Sequence, residues 1–253
     1  MELNDMAVAQ NKAAFEWGRH CAEHWNEVQA VLAPAQVLQF HKPEGVDALI
    51  DKRVAFLTDY QNAAYGNRYR AVVERVRTAE ATLNKTTLTE AVARNLFKLM
   101  AYKDEYEVAR LHTDTAFLQK INGMFEGNFT LNYHLAPPLI AKTNAKGELQ
   151  KQKFGQLMLS GFKLLKHLKL LRGSPLDVFG YTEERRTERE LIQQYLTSVD
   201  DMLRKLNANN HALAVEMARI PEQIKGFGHV KARHLAAARQ KWNALKAQWP
   251  TPT

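Results

Sequence analysis

The chain has 253 residues, 45% of them hydrophobic and 25% charged. That composition excludes a disordered, collagen-like or disulfide-scaffold protein and leaves one large domain or two small ones. A net charge of +8 points to an anionic neighbour or simply to solubility, and the single cysteine, Cys21, excludes an internal disulfide and any iron–sulfur cluster or four-thiolate zinc site held by this chain alone.

Apolar residues recur at three- and four-residue spacing through most of the sequence, while the 12 glycines and 8 prolines cluster between those stretches. The expected fold class is mainly α, a multi-helix domain with one small antiparallel β-hairpin. A first helix is predicted over 6–31, with Val8, Phe15, Cys21, Trp25 and Val28 as its inward stripe and Pro34 beyond its end. An extended stretch over 38–44 follows, then a helix over 49–64 and another over 69–76. Thr87-Leu-Thr-Glu90 has the form of a capping box, so a helix should start there and turn Val92, Leu96, Leu99 and Met100 inward. Asp104 and Glu107 can open a further helix reaching Leu111, and a short one is expected over 115–124.

The period changes at 129–135, where Phe129, Leu131, Tyr133 and Leu135 alternate with polar residues. This reads as a half-buried strand, and the hairpin is placed near 129–154, with turn residues at 144–147. Helical spacing resumes over 157–171, with Leu157, Phe162, Leu165, Leu168 and Leu171 facing inward, and breaks at Gly173-Ser-Pro175. A helix over 182–206 is expected to be the longest and to lie on the surface, its first turn carrying Glu183 and Glu184 against the positive helix end. Helices over 212–219 and 230–249 complete the chain.

Four local features carry candidate chemistry. His20, Cys21 and His24 share a helix face at a spacing that can ligate zinc, but two histidines do not make a site, and packing accounts for them equally well. Lys163, Lys166 and Lys169 fall on one edge of a leucine-rich helix, a basic face suited to an acidic partner or to solvent; no aromatic residues mark it as a membrane helix. Lys225, Gly226, Gly228, His229 and Lys231 form a glycine turn just before a helix, where backbone N–H groups and positive side chains can hold an anion such as phosphate; a plain helix-joining turn explains the glycines as well. Lys103-Asp-Glu-Tyr-Glu-Val-Ala-Arg110 sets alternating charges beside apolar positions, as in a buried ion network or a catalytic acid–base pair; Glu107 and Arg110, three apart, favour direct structural pairing. No catalytic, cofactor-binding or metal-binding set is recognisable beyond these.

Several of these stretches resemble a known family, the C-terminal helical region of the fused indolepyruvate:ferredoxin oxidoreductases, relatives of the 2-oxoacid:ferredoxin oxidoreductases. The segments carrying the resemblance are LTDYQNAAY at 57–65, LFKLMAYKDEYEVAR at 96–110, HLAPPL at 134–139, LRG at 171–173 with FGY at 179–181, and GFGHVK at 226–231. AVAQNKAAFEWGR at 7–19 looks like the tail of a preceding catalytic domain. The resemblance therefore implies an N-terminal helix over 1–33, a helical accessory domain over 34–253, and a native polypeptide longer than this chain. It implies an intact enzyme that oxidatively decarboxylates aryl-2-oxo acids to acyl-CoA with ferredoxin as electron acceptor. Thiamine diphosphate, Mg and iron–sulfur clusters would be held by other domains, with no cofactor in this chain. The implied partners are the preceding catalytic domains, a twin copy in a homo-oligomer, and ferredoxin. The alternative reading is a freestanding basic module that binds nucleic acid or a phosphorylated ligand. The N-terminus carries Glu2 and Asp5 where a signal peptide would be basic, and no apolar run is long enough to cross a bilayer. A soluble cytoplasmic protein is expected.

Overall fold

The computed structural model describes residues 8–31, 45–113, 117–124, 130–135, 152–155, 157–226 and 228–249. Two compact units are present, Met1–Pro43 and Glu44–Thr253. Among the described residues the fold is mainly helical with a single two-stranded antiparallel sheet, as the spacing predicts.

In the first unit the predicted helix is interrupted at His24, giving α1 (Val8–Glu23) and α2 (Trp25–Val31). The stripe is not turned into a core. No residue of α1 is buried, and Phe15, Trp17 and Trp25 are all more than half exposed.

The second unit starts with α3 (Val46–Tyr60) and α4 (Ala63–Ala81). The break falls at Gln61–Asn62, earlier than apolar spacing alone suggests, because the Asn62 side chain accepts the Tyr65 amide at 2.9 Å and caps α4. The two helices cross closely at Gly66, where an added Cβ would lie 2.7 Å from Thr58 Oγ1 and 2.9 Å from the Val54 carbonyl oxygen. Next come α5 (Thr87–Met100), α6 (Glu105–Thr113) and α7 (Phe117–Met124). Asp104 opens α6 as expected, accepting the Glu107 amide at 2.8 Å. At α5 the capping box does not form, since the Thr86 and Thr87 hydroxyls make no cap and Glu90 pairs with Arg94 instead. The free amides of Leu88 and Thr89 are taken by the buried carboxylate of Glu80, each at 2.7 Å. The Thr89 hydroxyl and His211 Nε2 complete that site at 2.6 Å each.

The hairpin pairs β1 (Tyr133–Leu135) with β2 (Gln152–Phe154) in the register Tyr133 to Phe154. Tyr133 is buried and His134 exposed, as the alternation requires; the turn expected at 144–147 and the stretch at 38–44 lie outside the described residues. α8 (Leu157–Leu165) runs into a 3-10 turn over Lys166–Leu171, and then come α9 (Glu183–Leu203), α10 (His211–Ala218), a 3-10 turn over Ile220–Gln223, and α11 (Gly228–Gln248). α9 lies on the surface as expected, with Glu183, Glu184, Glu190, Gln193 and Gln194 exposed. Leu191, Tyr195, Val199 and Met202 bury one of its faces against α4, α5 and α11, and α11 equals it in length.

One large core joins α3, α4, α5, α9, α10 and α11. Its tyrosines tie helices together through their hydroxyls: Tyr60 donates to the Tyr102 carbonyl at 2.9 Å, Tyr69 to Ala93 at 2.9 Å, and Tyr195 to Ala218 at 2.9 Å. Ala218 ends α10, so the Tyr195 bond also satisfies a carbonyl that a helix end leaves free. A second, small cluster holds Ala109, Tyr133 and Phe162 between α6, the hairpin and α8. Among the described residues no helix is long and apolar enough to cross a membrane.

Candidate functional site

The predicted glycine turn lies between the 3-10 turn over Ile220–Gln223 and α11. Gly226 has φ +86°, in the left-handed region that a side chain adopts only with strain, and an added Cβ would meet Val230 Cγ1 at 2.8 Å. Gly228, the first residue of α11, has φ +53°. The turn brings Lys225, Gly226 and Lys231 to a cleft of about 390 Å³ also lined by Lys98, Lys103 and Tyr102. Neither Lys98 nor Lys103 is assigned to the anion turn by the sequence pattern. They arrive because α5 ends at Met100, beside the same turn.

Charge in this cleft is partly spoken for. Lys231 Nζ is paired with Glu188, and Lys98 Nζ donates to the Pro221 carbonyl at 2.6 Å. Burial, reinforced by Lys225 and Lys231, pushes the Lys98 ammonium below the usual lysine range, against the raising effect of Glu222. Lys103 and Lys225 remain exposed at the rim. Gly228 lines a different cleft, shared with Lys231 but faced by Glu183, Glu184 and Glu188. Of the predicted anion turn, Lys225 and Gly226 thus line the first cleft, Gly228 the second, and Lys231, with Glu188, both. The side chain of His229 lies outside the described residues.

The basic edge of the 157–171 stretch is rearranged by its backbone. Tightening from α-helix to 3-10 helix at Lys166 replaces a 3.6-residue period by a three-residue one. Lys163 stays exposed, Lys166 is half-buried, and Lys169 folds back to donate to the Asp59 carbonyl at the end of α3. The inward leucine stripe is corrected accordingly. Phe162 is buried and Leu165 and Leu171 half-buried, but Leu157 and Leu168 of the stripe are exposed, as are Leu164 and Leu170, which the stripe does not include. With Leu176, Val178 and Tyr181 the exposed leucines make an apolar strip of the chain over 157–181, in which every one of these residues except Leu168 is between 58% and 89% exposed.

Glu107 and Arg110 form the expected buried pair, bidentate at 2.8 and 2.9 Å. His20 and His24 have ring centroids 4.8 Å apart, and His24 lies 3.5 Å from Glu27, but among the described residues no group of three or more His, Cys, Asp or Glu side chains could hold a metal ion.

A polar centre that sequence reasoning missed lies at Arg172. Its Nε and Nη2 reach Asp104 at 2.5 and 2.9 Å, its Nη1 donates to the Tyr60 carbonyl at 2.6 Å, and its guanidinium stacks 3.7 Å from the Tyr60 ring centroid. Burial alone lowers an arginine pKa, and here Asp104 and Tyr60 reverse the shift to an increase, so the group is a permanent cation. The partners are 68 and 112 residues away in sequence, so no local pattern announces them. Nearby, Asp177 accepts the Gly173 and Gly180 amides at 2.8 and 3.1 Å and the Tyr106 hydroxyl at 3.1 Å, fixing the 173–180 turn.

Compared with known proteins, residues 46–244 match the model of a family described as a family of unknown function, DUF6537. No curated protein and no solved structure matches the chain.

Proposed function

We infer, for a chain that belongs to the DUF6537 family of unknown function, an accessory role: a helical domain that docks on the catalytic domains of an indolepyruvate (arylpyruvate):ferredoxin oxidoreductase and supports their assembly. The observation that carries this reading is the apolar strip of Leu157, Leu164, Leu170, Leu176, Val178 and Tyr181. Large apolar side chains left exposed within one short stretch of an otherwise well-packed domain favour a protein surface over water. Exposed Lys163 and half-buried Lys166 on the same segment suit an acidic facing surface. The stretches that resemble the oxidoreductase family include 171–173 and 179–181, which lie in and beside the strip. In this reading the intact enzyme decarboxylates an aryl-2-oxo acid and reduces ferredoxin with thiamine diphosphate, Mg and iron–sulfur clusters held by other domains, and this chain supplies a binding face rather than reacting groups.

The test is complementation. An arylpyruvate:ferredoxin oxidoreductase lacking the matching segment should regain assembly and turnover when the purified chain is added, and a Leu164→Ser/Leu170→Ser chain should fail to restore them. Turnover and assembly that are unchanged without the segment would remove the accessory role.

A further inference from the structure

We propose that a second cleft, bounded by α4, Tyr102, the Arg172–Gly173 corner and α9, is a binding site for a small dianionic oxyanion, a phosphate monoester or a dicarboxylate. The cleft measures about 320 Å³, and Arg68, Arg172 and Arg189 line it together with Tyr65, Tyr102 and Gln193. Its described lining includes no carboxylate.

The three arginines are not equivalent. Arg172 is neutralised by Asp104 and held rigidly by the Tyr60 carbonyl and ring. Arg189 is anchored at one nitrogen only, Nη2 donating to the Gly180 carbonyl at 2.6 Å. Its Nη1 is shielded from solvent and has no acceptor among the described residues. A buried donor without a partner costs free energy until an acceptor is supplied. Arg68 is exposed and has no ion pair or hydrogen bond among the described residues. Neither Arg68 nor Arg189 forms an ion pair among the described residues, although the Asp177 carboxylate lies across Gly180 from Arg189 Nη1, and a ligand placed between the two guanidinium groups would present anionic oxygens that accept planar, paired N–H donors.

Position supports the same ligand class. Arg189 is fixed by the 173–180 turn, which is itself held by Asp177, so that donor is set in place before any ligand arrives. Gly180 is required there, since an added Cβ would lie 2.5 Å from Asp177 Oδ2 and 3.2 Å from Arg189 Nη1. The rings of Tyr65 and Tyr102 and the side chain of Ile192 give the cleft apolar walls. Its volume is at the small end for ligand pockets, which suits a compact anion rather than a polyanion. The lysine cleft across Tyr102 differs, because Lys231 is already paired with Glu188 and Lys98 with a carbonyl.

The experiment is calorimetric titration of the full chain at low ionic strength with inorganic phosphate and, separately, with succinate. Saturable binding of one equivalent is expected, weakening as salt is raised. The tighter probe tells a phosphate ligand from a dicarboxylate. Arg68→Gln and Arg189→Gln should each weaken binding at least tenfold, whereas Lys85→Gln, on the exposed surface away from the cleft, should leave it unchanged. Arg68 has no partner to lose, so Arg68→Gln decides the matter even where Arg189→Gln unfolds the turn. Absence of saturable binding by either probe up to about 10 mM, near the weak end of specific affinities, would overturn the proposal, as would binding that Arg68→Gln leaves unchanged.

Discussion

The two hydrophobic clusters of the 44–253 unit are built to different rules. In the large core the buried tyrosines carry their hydroxyls to backbone carbonyls, and the charged intruder, Glu80, is met by two amides, a hydroxyl and an imidazole. The small cluster buries only Ala109, Tyr133 and Phe162, half-buries Leu131, Leu135 and Leu165, and leaves the Tyr133 hydroxyl without an acceptor among the described residues, while Leu157, Leu164, Leu168 and Leu170 of the adjoining stretch face solvent. The large core satisfies most of its polar groups internally, Trp249 Nε1 being an exception. A cluster that exposes large apolar side chains beside an unsatisfied donor has the composition of half an interface.

Arg172 ties the end of the Lys166–Leu171 turn to Tyr60 of the large core and to Asp104 at the start of α6, so removing it should have the largest effect. Arg172→Ala leaves the Asp104 carboxylate buried and unpaired and should cost about 3–5 kcal/mol, read as the midpoint of urea unfolding. Arg172→Lys should rescue little, because one ammonium cannot reproduce both bonds to Asp104, the bond to the Tyr60 carbonyl and the stacking on the Tyr60 ring. Full rescue by lysine would mean the link is charge alone.

Glu80→Ala comes next, at roughly 3 kcal/mol, since it strands the Leu88 and Thr89 amides and His211 in the large core. Burial raises the Glu80 pKa, but its hydrogen bonds from Thr89, His211 and the two amides outweigh that and hold it below the usual carboxylate range. The unfolded chain therefore takes up this proton first as pH falls. The stability that Glu80 contributes is present above the ordinary carboxylate range and is lost as pH drops through its lower folded value. Glu80→Gln should flatten that acid limb in unfolding measured against pH. An unchanged acid limb would show that the core's one buried carboxylate at this site does not govern it.

Glu80 also marks how far the sequence could be read. The pattern at 87–90 locates the start of α5, because apolar spacing and a first-turn carboxylate are local signals, yet the carboxylate that caps the helix sits in α4, seven positions before Thr87, where nothing marks it. Spacing found α5 and α9 to α11 because a large core imposes one period on every helix it touches. It held only in part over 157–171: Phe162, Leu165 and Leu171 keep the assigned face, while Leu157 lies exposed at the start of α8 and Leu168 leaves that face where the backbone tightens at Lys166. Of the anion turn, Gly226 and Lys231 were legible from glycine placement and charge. The three arginines of the second cleft come from separate helices and a turn, and only the folded chain brings them together.

Gly66→Ala probes the large core by overfilling rather than emptying it. The added methyl meets the Val54 carbonyl, which as part of α3 cannot rotate away, so a loss of about 1–3 kcal/mol is expected in thermal unfolding. Gain of stability, the usual result of removing a helical glycine, would show that α3 and α4 have room to separate.

The smallest effect on stability belongs to the strip itself. Leu164 and Leu170 are 69% and 62% exposed, so replacing both with serine removes little buried area and should change the unfolding free energy by less than about 0.5 kcal/mol in the isolated chain. The same change should lower the binding of an environment-sensitive dye such as ANS, because that dye reports accessible apolar surface. The pairing of the two readouts is what matters. Leucines that belonged to a core would lose stability on substitution, and leucines scattered at random would leave dye binding untouched. Only an exposed, contiguous apolar face gives unchanged stability with reduced dye binding, and a loss of more than about 1 kcal/mol would place these residues inside the small cluster and end the contrast between the two regions.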